Sequence, residues 1–329
     1  MIRDNHNRYL EEKRKRSVKR RLVFSVILLV ILFSIIKVKK DREEYTQEVK
    51  RQEEIDRQKE ASQNQNQDSK PQESQSQEKT DEEIFNEIRK NENVYSNTFK
   101  RNELLHNLEV YAKYNPNAKL VMKHADDIHP SLLKLAGNNY TAVNFVAKTI
   151  DSTIKNEYSY PEKVNGSNVP LYLQWDKRWG YEKYGYGIIG FTGCGPTSSA
   201  MAISYLKNDP SITPAKIAEE SDRNGYSSSE GTSWGFYPYI ARKYGLKAVQ
   251  MDANYNIIKE NLKKGNPIVI SVRPGDFTQT GHVMVISGID SNGNIIINDP
   301  NSFTNSRKTW KYDRLQPQIK AMWVFSNGV

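Results

Sequence analysis

The chain divides by how its apolar residues are spaced. Leu22 to Ile36, LVFSVILLVILFSII, is apolar on every face and charged on both sides. Its 15 residues fall short of the ~20 that usually cross a bilayer. Val38 extends the run, and Arg20, Arg21 and Lys37 can snorkel to the interfaces. A cleaved signal peptide would want a small-residue cleavage site, and SIIKVKKDREE offers none. The pattern therefore predicts a transmembrane anchor over 22–38. Residues 39–80 predict the opposite. Tyr45, Val49 and Ile55 are too sparse for a coiled-coil seam. The stretch ASQNQNQDSKPQESQSQEKT holds no apolar residue larger than alanine. Such a linker cannot bury enough surface to offset its ordering entropy.

Over 81–160 the apolar positions return at steps of three and four: Ile84/Ile88, Leu104/Leu105/Leu108/Tyr111 and Val143/Val146/Ile150. This spacing predicts helices. In HPSLLKLAG it predicts a short helix capped by Ser131 and stopped by Gly137. Beyond 161 the period shortens. NPIVISV, HVMVISGI, NIIIN and AMWVF read as strands by length and β-branching. DSNGN joins the second to the third as a hairpin. Helices are expected at 197–206, 213–220 and 255–264. Helices first and an antiparallel sheet later make an α+β fold.

Charge changes the picture in one respect. The formal net charge is +9, and residues 1–40 carry all of it, with 12 Lys/Arg against 3 Asp/Glu. A nucleic-acid-binding domain would carry the excess on the domain itself, so no nucleic-acid partner is expected. Residues 1–21 form a basic tail expected to stay in the cytoplasm, which puts the C-terminal domain outside the cell.

The one cysteine, Cys194, lies in FTGCGPTSSAMAIS. Proline is favoured at the first helical position, so Pro196 predicts a helix start with Cys194 just ahead of it. Unpaired N–H groups there favour a thiolate. Equally, a free cysteine is commonly a small buried apolar residue. Segment 161–329 also holds a single histidine, His282, 88 residues further on. One Cys and one His in a domain suit a nucleophile and its base. An acidic or amide group should orient the imidazole. Folding the hairpin at Asp290–Gly293 returns Asp299 and Asn298 to the His282 end of the strand. Asp299 is the first candidate and Asn298 the second, while Asp290 suits a turn. Gln174 is the candidate side-chain donor for an oxyanion. His106, His124 and His129 lack metal-ligand spacing, and one Cys with one His leaves no zinc cluster. No cofactor is expected. Trp175, Trp179, Trp234, Tyr237 and Tyr239 can either line a cleft or pack under loops.

At these residues the chain resembles a family. Gln-x-Asp-x-x-Trp at 174–179, Gly-Cys-Gly-Pro-Thr at 193–197, Gly-His at 281–282 and Asn-Asp-Pro at 298–300 are similar to the papain-like cysteine peptidases. The bacterial double-glycine, bacteriocin-processing branch (peptidase C thirty-nine-like) is the most similar. Those processing enzymes place their glutamine six residues before the cysteine, where this chain has Ile188. The resemblance covers about 168–329. It implies a central helix presenting Cys194 against a sheet presenting His282, with Asp299 orienting and Gln174 as oxyanion donor. It also implies peptide or protein substrates, cell-wall peptides among them. Two rivals share the motifs: an acyl-transferring transpeptidase or transglutaminase-like enzyme, and a silent binding protein.

Overall fold

The computed structural model describes residues 80–91, 94–156, 168–228 and 231–328. The expected basic tail, the anchor at 22–38 and the linker up to residue 79 lie outside them. Among the described residues no helix is long and apolar enough to cross a membrane. All of them fall in one compact unit, Glu78–Val329.

Five helices come first: α1 (Asp81–Asn91), α2 (Arg101–Tyr111), α3 (Asn117–Lys123), α4 (Pro130–Asn138) and α5 (Val143–Ile150). Thr80 and Glu83 start α1 reciprocally. The Glu83 amide donates to Thr80 Oγ1 (3.3 Å) and the Thr80 amide to Glu83 Oε2 (2.8 Å). Ile88, Leu104, Leu108, Tyr111, Val143 and Val146 of the expected stripes are buried. The reading of HPSLLKLAG needs two corrections. The N-cap of α4 is His129, whose Nδ1 accepts from the Ser131 amide (3.2 Å), with Pro130 in the first turn. Gly137 lies inside the helix rather than ending it. A Cβ there would sit 3.1 Å from the Leu104 backbone, so glycine permits close approach of α4 to α2.

The larger sheet has six antiparallel strands: β5 (Leu246–Met251), β6 (Ile268–Val272), β7 (His282–Ile289), β8 (Ile295–Asn298), β9 (Thr309–Trp310) and β10 (Ile319–Asn327). Their spatial order is β5-β10-β6-β7-β8-β9. Two short ladders precede it, β1 (Lys183–Tyr184) with β2 (Gly187–Ile188), and β3 (Ser227–Ser228) with β4 (Gly231–Thr232). On one face of the sheet Ile268, Ile270, Val272, Met284, Ile286, Ile295 and Ile297 share a core. Val269, Val283, Val285 and Trp323 of the other parity are buried too. Both faces are covered, so the central strands are continuous apolar runs.

Between them stand α6 (Ile189–Thr192), α7 (Cys194–Lys207), α8 (Pro214–Arg223), α9 (Phe236–Lys243) and α10 (Tyr255–Lys263). The central helix α7 packs on β6, β7 and β10. It starts at Cys194 itself, which puts Pro196 at the third helical position instead of the first. Proline costs no hydrogen bond at either place, because first-turn amides have no intrahelical acceptor. Strand β5 and helix α9 were not expected from the pattern. In β5, Val249 and Met251 face water at the sheet edge, so the run LKAVQM shows little apolar character.

The helical layer and the sheet-bearing part interlock at Phe145. It stacks on Tyr181 (4.4 Å between ring centroids), and Gly180 and Gly190 leave room for its ring. The Tyr181 hydroxyl donates to the Phe145 carbonyl (3.1 Å). Phe145→Ala is expected to cost about 3–5 kcal/mol of stability, the usual range for truncating a buried aromatic. Urea unfolding of residues 80–329, followed by tryptophan fluorescence and by circular dichroism, should then give one coincident transition at a lower midpoint. Two separate transitions would show the layers to be independent.

Candidate active site

Cys194 opens α7 at the floor of a cleft of about 650 Å³, and His282 opens β7 at its wall. The Cys194 position depends on close packing. A Cβ at Gly195 would lie 2.3 Å from Thr232 Oγ1, so glycine lets β4 close over the start of the helix. Tyr184 ties that contact down, its hydroxyl lying 2.7 Å from Thr232 Oγ1 and 3.0 Å from Ser221 Oγ. Burial raises the Tyr184 phenol to about 12, despite the two hydroxyls that favour its charged form. It stays neutral in the physiological range.

His282 Nε2 lies 2.7 Å from Asp299 Oδ1. Cys194 lines the same cleft as His282 and adds to the raised pKa of the ring, and with Nε2 on Asp299 it is Nδ1 that is left for the thiol. The ring is 8 % exposed and the carboxylate 1 %. Burial works against the imidazolium, but the Asp299 charge, its hydrogen bond and the contact with Cys194 outweigh it. His282 is raised from 6.5 to about 9. Burial works against the Asp299 carboxylate as well. The imidazolium charge and hydrogen bonds from His282, Asn305 and the Asn301 amide prevail and hold its pKa below the ordinary value.

The carboxylate is filled from several sides. Oδ1 also accepts from the Asn301 amide (2.9 Å), and Oδ2 accepts from Asn305 Nδ2 (2.8 Å). The Asp299 amide donates to Ser306 Oγ (2.9 Å). Asn305 and Ser306 lie on α11 (Phe303–Ser306), which Ser302 caps through the Asn305 amide (3.1 Å). Sequence reasoning missed this loop. A Ser-x-x-Asn cap after Asn-Asp-Pro was its only signal. Lys134 of α4 lines a small cavity with Asp299 from behind. Burial lowers the Lys134 pKa, and the nearby Asp299 charge partly restores it.

Of the two hairpin candidates, Asp299 is the one at the histidine. Asn298 turns its amide to the Val169 and Pro170 carbonyls (3.0 Å each) and accepts from Ser287 Oγ (3.2 Å). It clasps the start of the domain to the sheet. Asp290 is in the turn, its Oδ1 accepting from the Asn292 and Asn294 amides (2.8 Å each). Gln174 is buried, 2 % exposed, and does not line the cleft. Its backbone N–H donates to the Pro300 carbonyl (2.7 Å) and its Nε2 to the Gly190 carbonyl (3.0 Å). It therefore bridges the residue after Asp299 and the turn before Cys194. Its Oε1 is buried without a hydrogen-bond partner. Among the aromatic candidates only Trp234 lines the cleft, while Trp175, Trp179 and Tyr237 are buried and Tyr239 bonds Glu220 (2.7 Å).

Residues 167–327 match the model of the Peptidase_C39 like family. No curated protein matches the chain. The similar solved structures include three peptidases. The peptidase domain of Streptococcus ComA, a bifunctional ABC transporter of a quorum-sensing pathway, is 20 % identical with a TM-score of 0.34. The match covers 41 % of this chain and 92 % of that one. A C39-like peptidase from Bacillus anthracis is 21 % identical, TM-score 0.35, covering 51 % and 100 %. A double glycine motif protease from an AMS/PCAT transporter, in complex with the leader peptide, is 16 % identical, TM-score 0.33, covering 50 % and 96 %.

The buried pair makes a prediction that needs no substrate. NMR titration of His282 should give a pKa near 9, falling toward 6.5 in Asp299→Asn, where the counter-charge is gone. A folded-state pKa above the unfolded one stabilises fully below about 6.5, and that stability is lost as pH rises through about 9. The wild-type urea midpoint should fall over that window, and the Asp299→Asn midpoint should fall less.

Proposed function

We propose that the domain whose residues 167–327 match the Peptidase_C39 like family model is a cysteine peptidase that hydrolyses peptide bonds through Cys194, His282 and Asp299. The observation that carries the reading is that Cys194 and His282 line one cleft, with a fully engaged buried carboxylate bonded to the far side of the imidazole. In the reaction, sulfur attacks the scissile carbonyl and forms an S–C bond, while the carbonyl π electrons move to oxygen. As the tetrahedral intermediate collapses, the C–N bond breaks and the His282 imidazolium gives its proton to the leaving amine. Water then attacks the thioester with His282 as base. The S–C bond breaks, and the acid product leaves.

Asp299 keeps the ring oriented and favours its cationic form. The oxyanion would meet the Cys194 backbone N–H, which has no intrahelical partner at the first position of α7. The Gln174 amide is proposed as the second donor. Nε2 gives one hydrogen to the Gly190 carbonyl, which leaves its second hydrogen for the oxyanion.

The apolar run at 22–38, with nine Lys/Arg in residues 1–21 and four in residues 37–42, supports a single-pass anchor with the enzyme outside the cell. Peptides or proteins at the cell surface, cell-wall peptides among them, would be the substrates.

Incubating residues 80–329 with a peptide library and reading products by mass spectrometry tests the activity. Wild type should cleave, and Cys194→Ala should not, at an unchanged melting temperature. Turnover by Cys194→Ala would mean another nucleophile. Gln174→Ala should slow kcat by about 10²–10³ with little change in KM if the amide meets the oxyanion. A stability loss without a kcat loss would make Gln174 a brace. For the anchor, deleting residues 1–40 should move the full chain from the membrane to the soluble fraction.

A further inference from the structure

Two cations stand in the cleft, and among the described residues no acid is paired with either. Arg273 follows Val272, the residue of β6 that pairs directly with His282. Its guanidinium donates to the Ile319 carbonyl (3.1 Å), and its backbone N–H to the Gln318 carbonyl (2.9 Å). The loop beyond it is pinned. Asp276 takes Arg314 Nε at 2.7 Å, and its amide donates to Gln318 Oε1 at 2.7 Å.

Lys320 arrives from β10. Ile319 pairs with Val272 and Ala321 with Ser271, so Lys320 is the extra residue of a β-bulge. A bulge re-aims a side chain that would otherwise follow the alternation of the strand. Lys320 Nζ lies 5.2 Å from the centre of the Trp234 ring, which is 39 % exposed. Among the described residues, then, the partners of the two cations are a carbonyl and an indole face, neither of which carries a negative charge. The described residues lining the cleft add Ser228, Thr232, Ser233, Ser271 and Thr280, and no carboxylate.

We propose that Arg273 and Lys320 form an anion subsite of the cleft that selects peptides carrying a carboxylate close to the scissile bond. The proposal rests on the peptidase reading for what is cleaved, and on the cleft alone for what is bound. The carboxylate is either an Asp or Glu side chain or a free C-terminus. Arg273 suits a two-pronged contact, and Lys320 supplies a point charge beside it. Trp234 offers an apolar face to the adjoining stem.

Matched peptides that differ only by Glu or Gln at each position, each made as C-terminal acid and amide, test it. Two readouts are used: kcat/KM with wild type, and binding to Cys194→Ala by fluorescence anisotropy. A carboxylate met by two cations should favour the acidic member by about tenfold or more. The preference should shrink at high salt. In Arg273→Gln/Lys320→Gln the ratio should fall toward one, and in Arg273→Glu/Lys320→Glu it should turn toward Lys-bearing peptides. Melting temperatures confirm that each variant is folded. An internal Glu effect assigns the side-chain source, and an acid-over-amide effect the C-terminal one.

Equal values for both members, or a preference that survives the double variants, would overturn the subsite. Acid-selective binding without turnover keeps the subsite and sinks the peptidase reading. Turnover without acid preference does the reverse.

Discussion

A carboxylate taken out of water needs a partner on every lone pair, and Asp299 organises this half of the molecule by that need. It is 1 % exposed, and His282, Asn305 and the Asn301 amide all point at its two oxygens. Removing one partner of such a buried pair typically costs about 3–5 kcal/mol, because the other charge is left stranded. The α11 loop exists to saturate that carboxylate. The imidazole in turn is held as a cation facing the thiol. The Asp299 charge is the largest of the contributions that keep this buried ring cationic.

The surrounding fold serves that arrangement from three directions. Asn298 clasps the start of the domain at Val169 and Pro170 while Asp299, next in the chain, faces the histidine. Gln174 spans from Pro300 to Gly190 and so links the two ends of the site across the start of α7. The helical layer closes the back, where Lys134 and Asp299 line one cavity and Phe145 fills the space left by Gly180 and Gly190. The five helices are therefore part of the same compact body as the sheet. Their apolar stripes are spent against it as well as against each other.

The central elements were legible because they are buried on all sides. The run IVISV and the run HVMVISGI carry their strand character in composition alone. Cys194 and His282 stood out by being the only residues of their kind in the segment. The hairpin at Asp290–Gly293 limited the third group to two neighbours, and the structure separates them by putting Asp299 on the ring and Asn298 on the Val169 and Pro170 carbonyls. What escaped had a different physical basis. Strand β5 is at an edge, where water tolerates Lys247 and Gln250. Gly137 looked like a helix stop because its reason, contact with Leu104, is tertiary. Arg273 and Lys320 are ordinary surface cations in the sequence, and it takes the end of β6 beside His282 and the bulge in β10 to bring them to one cleft.

The account stands or falls on whether the imidazole controls the sulfur. The most direct measurement is the rate at which iodoacetamide alkylates Cys194 near neutral pH, in wild type and in His282→Ala, with melting curves to show both folded. The account predicts at least about a tenfold slower reaction once the ring is removed, since reactivity follows the thiolate. Equal rates in the two proteins would mean that the thiol does not depend on His282, and the proposed catalytic unit would not exist.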